Sequence, residues 1–325
     1  MDKGGAALAE FVDLEPETED FEQAVLDGLA RAPKRLPCKF FYDAQGSRLF
    51  DRICELPEYY PTRTEIGILD TYAGEIASRM GSPCQMIELG SGAGVKVRKL
   101  LRANAGIVAY TGVEISKDHL LAASASIARD FPRLEVRAVC ADYTRPYTVP
   151  ATTRYPKAKK VGFFPGSTIG NFTPAEAQRF LSQQAALLGS GNDFIIGADL
   201  KKDPAILDAA YDDSAGVTAA FNLNLLVRIN RELGGNFDLS HFRHRGRYNP
   251  EMGRVEMHLV SDRDQTVSIS GRSFEFSEGE SIHTENSYKY TIEEFQRLAE
   301  ESGFGCVDVW TDPDRLFSIH YLRID

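Results

Sequence analysis

The sequence holds no pair of cysteines spaced as C-x-x-C: its five, Cys38, Cys54, Cys84, Cys140 and Cys306, are scattered and odd in number. That pattern suggests neither a disulfide framework nor a zinc site, and it points to a reducing, cytoplasmic setting. No apolar run approaches the roughly 20 residues needed to cross a bilayer. The acidic stretch from Asp13 to Asp20 stands where a leader would carry basic residues ahead of an apolar core. The expectation is a protein neither inserted into a membrane nor exported. Positive charge is short as well. With 37 basic residues against 47 acidic ones, the formal net charge is −10; this argues against nucleic acid as a partner, because phosphate backbones are held by clustered Lys and Arg. Repeats and low-complexity segments are absent. The 325 residues, 43% hydrophobic and 10% aromatic, can bury one large core or two ordinary ones, and small-molecule chemistry is the class these bounds favour.

The most informative stretch is Gln85-Met-Ile-Glu-Leu-Gly-Ser-Gly-Ala-Gly-Val-Lys-Val-Arg-Lys-Leu-Leu101, which reads as strand, turn and helix. Gly90, Gly92 and Gly94 let the backbone turn tightly and approach a ligand closely, and the new helix offers unpaired N–H groups. The dinucleotide fingerprint G-x-G-x-x-G would need glycine at Val95, and Glu88 beside the turn would repel a pyrophosphate. A ligand without a diphosphate fits better. Glu-x-Gly-x-Gly-x-Gly after a first strand resembles the nucleoside-binding motif of S-adenosylmethionine-dependent methyltransferases; the alternative is a tight turn with no ligand. Later strands are expected at 107–113, ending at Glu114, at 134–140, leading to Asp142 and Tyr143, at 161–164 and at 193–199. Glu114 would accept from ribose hydroxyls and Asp142 from an adenine amino group. Because strand ends in an open parallel sheet share one crevice, Glu114, Asp142 and Asn171 should meet the glycine turn there.

Elsewhere, residues 1–20 carry acids and little periodicity, so their first half is expected to fray or to pack as an arm, and Phe21, Val25, Leu26 and Leu29 have helical spacing. Ser116 and Thr173 are expected to cap helices, the latter followed by Pro174 at the first helical position. The pattern changes after Lys201: one long helix over 205–232, then alternating strands at 255–260, 266–270 and 272–276. His241, Arg243, His244, Arg245 and Arg247 read as a solvated or interface-facing loop, with no metal claimed. A helix from Ile292 to Ser302 and an antiparallel pair at 306–310 and 317–322 complete the pattern. Tyr42, Tyr59 and Tyr60 are either packing aromatics or the walls of a pocket.

Five motifs stand in order: Phe-Tyr-Asp-x-x-Gly-Ser-x-Leu-Phe-Asp (41–51), Leu-Pro-Glu-Tyr-Tyr-Pro-Thr-Arg-x-Glu (56–65), Glu-Leu-Gly-Ser-Gly (88–92), Gly-Ser-Thr-Ile-Gly-Asn-Phe (166–172) and Ile-x-Thr-Glu-x-Ser (282–287). Together they resemble, over nearly the whole chain, the histidine-specific Nα-methyltransferases of ergothioneine biosynthesis, a family whose wider membership includes fungal enzymes acting on other aromatic amino acids. The resemblance implies an α/β fold: a Rossmann-like, seven-stranded methyltransferase core (61–200 and 288–325) with a second, α+β substrate-binding domain (15–60 and 201–287) and a substrate pocket between them. It also implies three successive methylations of L-histidine to hercynine through the mono- and dimethylated forms. The donor would be S-adenosylmethionine and the by-product S-adenosylhomocysteine, in a monomer without metal.

By the same resemblance Glu88, Gly90, Ser91, Gly92 and Lys96 belong to the cofactor loop, Glu114 to the ribose, where aspartate would be usual, and Asp142 with Tyr143 to the adenine. Asn171 and Tyr211 would hold the amino acid's backbone groups. Tyr59, Glu285 and Ser287 would hold the imidazole, with Asn286 counted in the substrate set. Glu285 can accept from one ring N–H while Ser287 serves the other nitrogen. Tyr42 matches a tyrosine near the amino group, and whether it acts as a base or only positions the amine stays open. The alternatives are an N-methyltransferase for another aromatic amino acid, which the Glu285/Ser287 pair disfavours, and a non-catalytic nucleoside-binding module.

Overall fold

The computed structural model describes residues 8–16, 20–92 and 94–325. The chain begins with β1 (Glu10–Asp13), α1 (Phe21–Leu29), β2 (Lys34–Arg35), α2 (Ala44–Glu55) and α3 (Tyr60–Met80). An alternating run follows: β3 (Cys84–Leu89), α4 (Val95–Ala103), β4 (Ile107–Glu114), α5 (Lys117–Asp130), β5 (Glu135–Cys140), β6 (Lys159–Phe164), α6 (Pro174–Leu188) and β7 (Asp193–Asp199). Next come α7 (Pro204–Tyr211), α8 (Val217–Leu233), β8 (Phe242–Asn249), β9 (Arg254–Ser261), β10 (Gln265–Ile269), β11 (Arg272–Phe276) and β12 (Ser281–Tyr288). The last elements are α9 (Ile292–Glu301), β13 (Phe304–Thr311) and β14 (Phe317–Ile324). Two compact units result. One comprises the described residues of Met1–Glu17 with Arg63–Leu200 and Tyr290–Asp325, the other those of Thr18–Thr62 with Lys201–Lys289.

The first unit is an α/β fold around an eight-stranded sheet of order β1-β5-β4-β3-β6-β7-β14-β13. β1 and β3 to β7 run parallel, whereas β14 is antiparallel to both neighbours. Strands β3 and β7 are buried along their whole length, as expected where helices cover both faces of a parallel sheet. Met86, Tyr110, Phe163, Ile195 and Tyr321 meet in the core. The arm expected at the beginning of the chain contributes an eighth strand to the seven anticipated: Glu10–Asp13 pairs with Arg137–Cys140. Its first seven residues lie outside the described ones.

The second unit has a four-stranded sheet, β2-β12-β9-β8, and a separate hairpin, β10-β11. The single long helix expected over 205–232 is two helices. Asp213 breaks it by accepting the N–H groups of Val217 (2.9 Å) and Thr218 (2.7 Å), the open donors of α8's first turn, and Gly216 turns the chain with φ +70°. The basic stretch read as a loop is strand β8: Arg243, Arg245 and Arg247 are exposed while Phe242 and Gly246 are buried. Period-two alternation was therefore present, masked by arginines on the solvent face of an edge strand. No helix of the described residues is long and apolar enough to cross a membrane.

Candidate active site

In the first unit the strand order reverses between β3 and β6, the place where open parallel sheets form their crevice. The glycine turn leaves β3 at that point. Gly90, Gly92 and Gly94 have φ of +69°, +43° and +65°, left-handed values that residues with a Cβ adopt only at a cost. The turn is tied to β4 by the Gly90 N–H, which donates to Val113 O at 2.9 Å. A Cβ on Gly90 would stand 3.8 Å from the Tyr143 ring, so ring and turn share one surface. Helix α4 begins on Gly94 without a side-chain cap, and its first N–H groups are thereby left for a ligand.

The acids around the turn differ in accessibility. Glu88 is buried and accepts from the Tyr110 hydroxyl at 2.7 Å; burial pushes its carboxyl up to about 8. Glu114 is half-buried at the end of β4, and its Oε1 takes the N–H groups of Ile115 (2.9 Å) and Ser116 (3.2 Å). Burial raises this carboxyl too. Ser116 is the N-cap residue of α5, as expected, but its hydroxyl makes no capping bond. Asp142 accepts from the N–H (2.9 Å) and hydroxyl (2.6 Å) of Thr144. Ser91 is buried, and Asn171 closes a short turn, Thr168–Asn171, that follows β6. The topology thus brings Glu114, Asp142, Tyr143 and Asn171 to one edge with the glycine turn.

Lys96 is already engaged. Its Nζ lies 2.5 Å from Oε2 of Glu65, a fully buried carboxylate that also takes the Gly166 N–H at 3.0 and 2.9 Å. Glu65 therefore braces α4 against the turn carrying Asn171. It closes the 56–65 motif, and that position was the available signal for it.

In the second unit a small pocket lies between side chains, with about 270 Å³ of free space that runs out into open solvent. Phe50, Tyr59, Tyr211 and Phe221 form its aromatic walls, with Ile53, Ala210 and Met257, and the polar groups are Thr218 and Glu285. The Tyr59 and Tyr211 rings meet edge to face at 6.1 Å. Glu285 keeps some accessible surface yet is surrounded by protein, as a carboxyl on the cavity floor must be; that desolvation pushes it up to about 7, against a smaller opposing pull from Lys289. A register irregularity in β12 between His283 and Glu285 aims the side chain inward, which is a common use of such irregularities. Glu285 stands opposite Met257, another cavity residue.

Beyond it on the same face, the Ser287 hydroxyl lies 2.7 Å from the Tyr211 hydroxyl, and the buried Lys289 donates to both, at 2.8 and 3.0 Å. Ser287 thus stands behind Tyr211 instead of lining the cavity. Asn286 is not brought to it. Paired with Glu256, it lies on the opposite face of the sheet with Arg254 and His258, because neighbours along a strand point opposite ways. Tyr42 stands at the rim, 45% exposed, its ring edge-on to Phe50 (5.5 Å) and Phe221 (5.7 Å). Lys289 was not singled out from the sequence, although Glu285, Ser287 and Lys289 recur at every second position.

The profile of a family described as histidine-specific, SAM-dependent methyltransferases matches residues 21–324. The chain belongs to this family. It is 41% identical to the histidine N-alpha-methyltransferase of Mycolicibacterium smegmatis over 94% of this chain and 96% of that protein. It is 39% identical to that of Mycobacterium tuberculosis over 89% and 90%. Identity to ergothioneine biosynthesis protein 1 of Neurospora crassa is 33%, over 86% of this chain and 32% of that longer protein. The residues of this histidine-specific methyltransferase fit its family's donor, S-adenosylmethionine. The turn at the strand-order reversal is kept free of Cβ atoms, and the acids Glu114 and Asp142 beside it suit hydroxyl, amino and cationic groups better than a diphosphate.

Proposed function

We propose that this chain transfers methyl groups from S-adenosylmethionine to the α-amino nitrogen of L-histidine, three in succession, yielding hercynine as a step of ergothioneine biosynthesis. One observation carries the substrate assignment: a carboxyl, Glu285, on the floor of an aromatic cavity in a member of the histidine-specific family. A ring bearing an N–H suits that floor, whereas a hydrocarbon ring would leave the acid unpaired. In this reading the first unit is the methyltransferase domain and the second binds substrate. The glycine turn with Ser91 takes the nucleoside, Glu114 the ribose hydroxyls, and Asp142 with Tyr143 the adenine. Glu88 and Lys96 support the turn from behind, through Tyr110 and Glu65. Asn171 and Tyr211 hold the amino acid's backbone groups, while Tyr59 and Glu285, backed by Ser287, hold the imidazole. The enzyme would act as a cytoplasmic monomer without metal.

When bound, S-adenosylmethionine supplies a methyl on a sulfonium, and the S–C electron pair returns to sulfur as the N–C bond forms. No protein nucleophile is needed, so the residues serve to align the amine and exclude water. Each transfer uses the nitrogen lone pair. A proton must therefore leave before every one of the three, since an α-amino group titrates near pH 8. Tyr42, at the rim, would position the amine and pass that proton to solvent. A methyl-transfer assay across the twenty amino acids, read by product mass, tests the assignment: histidine should gain three methyls. Preference for phenylalanine, tyrosine or tryptophan would replace histidine with another aromatic substrate, and binding of S-adenosylhomocysteine without any transfer would reduce the chain to a nucleoside-binding module.

A further inference from the structure

We propose that Ser167 is a positioning residue for the amino-acid substrate: it holds the turn after β6 in the direction that presents Asn171 to the crevice. This rests on the reading of Asn171 as a holder of the substrate's backbone groups. Ser167 is buried and stands at φ +55°, ψ +26°, in the left-handed region that disfavours any residue with a Cβ and suits glycine. Gly166 before it is left-handed too, at φ +84°. A residue other than glycine keeps such a conformation only where its surroundings fix it, and such positions gather at functional sites.

Here the surroundings do fix it. Ser167 Oγ accepts the N–H of Asp199, the last residue of β7, at 2.9 Å, which ties the turn to the strand beside β6. The Gly166 N–H is taken by both carboxylate oxygens of the buried Glu65, and the Thr168 hydroxyl donates to Pro165 O at 3.0 Å. Glycine at position 167 would adopt the left-handed backbone freely, so what serine supplies is the hydroxyl and its bond to β7. From Ser167 the chain enters one 3₁₀ turn, Thr168–Asn171. The Gly170 N–H on Ser167 O (2.9 Å) and the Phe172 N–H on Ile169 O (3.2 Å) close it, and Ile169 is fully buried beneath. Turn and serine therefore move as one body. At about 2 Å of rise per residue Asn171 lies roughly 8 Å along it from Ser167, so a swing of about 10° there displaces Asn171 by roughly 1 Å.

The test measures kcat/KM for histidine, calorimetric binding of S-adenosylhomocysteine and a thermal melt in the wild type, Ser167→Gly, Asn171→Ala and the double variant. Ser167→Gly relieves the backbone while losing the bond to Asp199, so the melt should move little. Its kcat/KM for histidine should fall at least about tenfold, since a misplacement of about 1 Å can cost about a hundredfold. S-adenosylhomocysteine should bind within about twofold of wild type, and in the Asn171→Ala background the same change should cost less than about twofold, because a residue acting through Asn171 has nothing left to place. An unchanged kcat/KM in Ser167→Gly, losses that multiply in the double variant, or equal losses of histidine and cofactor each overturn the proposal. If Ser167→Gly does not fold, Ser167→Ala, which removes only the oxygen, goes through the same cycle under the same criteria. An Asn171→Ala protein that handles histidine like the wild type would instead remove the reading of Asn171 on which the inference rests.

Discussion

A carboxyl at the bottom of an aromatic cavity loses most of its hydration, and Glu285 is pushed up to about 7 for that reason. An imidazole N–H repays part of that loss. Glu285→Ala should therefore lower kcat/KM for histidine at least about a hundredfold, the effect of roughly 3 kcal/mol for a charged hydrogen bond, with S-adenosylhomocysteine binding intact. Phenylalanine and tryptophan should close part of the gap, since the acid that opposed them is gone. A competition assay with the three amino acids measures both effects, and an unchanged preference would take Glu285 off the ring. The motif Ile-x-Thr-Glu-x-Ser made Glu285 legible in the sequence. It also drew in Asn286, which the strand turns the other way, and it stopped two residues short of Lys289, whose importance depends on Tyr211, distant in the sequence.

At the scale of elements, two segments carry the site. Gly92 sits at φ +43°, where a β-branched residue is strained and its side chain would fill the turn. Gly92→Val should abolish S-adenosylhomocysteine binding in calorimetry while the protein still melts cooperatively; binding at wild-type strength would contradict the role of the turn. Strand β12 is held at its irregularity by a buried relay. Thr284 donates to Asn222 Oδ1 (2.8 Å), Asn222 Nδ2 meets His244 Nδ1 (2.9 Å), and His244 Nε2 donates to Tyr211 O (2.7 Å). Burial lowers the His244 pKa, which favours the neutral ring that such a relay needs. Asn222→Ala should cost about 1–3 kcal/mol in urea unfolding, the penalty for leaving buried partners unsatisfied, and should weaken histidine more than cofactor. The βα run was legible because its periodicity is strong and its turns carry glycine. The relay was not, since Asn222, His244 and Thr284 look like ordinary helix and strand residues until α8 and β8 are folded together.

For the whole molecule, buried acids set how stability follows pH. Glu88 and Glu285 hold their protons in the fold up to about 8 and 7, whereas in the unfolded chain they release them near 4.3. Between those limits the folded state binds more protons, so its stability falls as pH rises. Glu88→Gln keeps an acceptor for Tyr110 and removes one of these groups; its melting temperature should drop less than that of the wild type between about pH 5 and 8. An equal slope in both proteins would show that Glu88 is ionised in the fold. Parallel order and the closing antiparallel pair could be read from alternation along the chain, but the added edge strand β1 could not, being four residues among acids.

The position of β14 has a consequence for synthesis. Although it comes after the other described strands in chain order, it lies inside the sheet, hydrogen-bonded to β7 on one side and β13 on the other. While a ribosome is still adding Phe317–Ile324, β7 has an unpaired edge and the faces that β14 will cover are wet. The second unit waits as well, because β2, made early, pairs with β12, made some 250 residues later by the register of Lys34 with Ile282. Domains that fold from the amino terminus as they emerge gain protection early; here the sheet edges stay open until Phe317–Ile324 have been made.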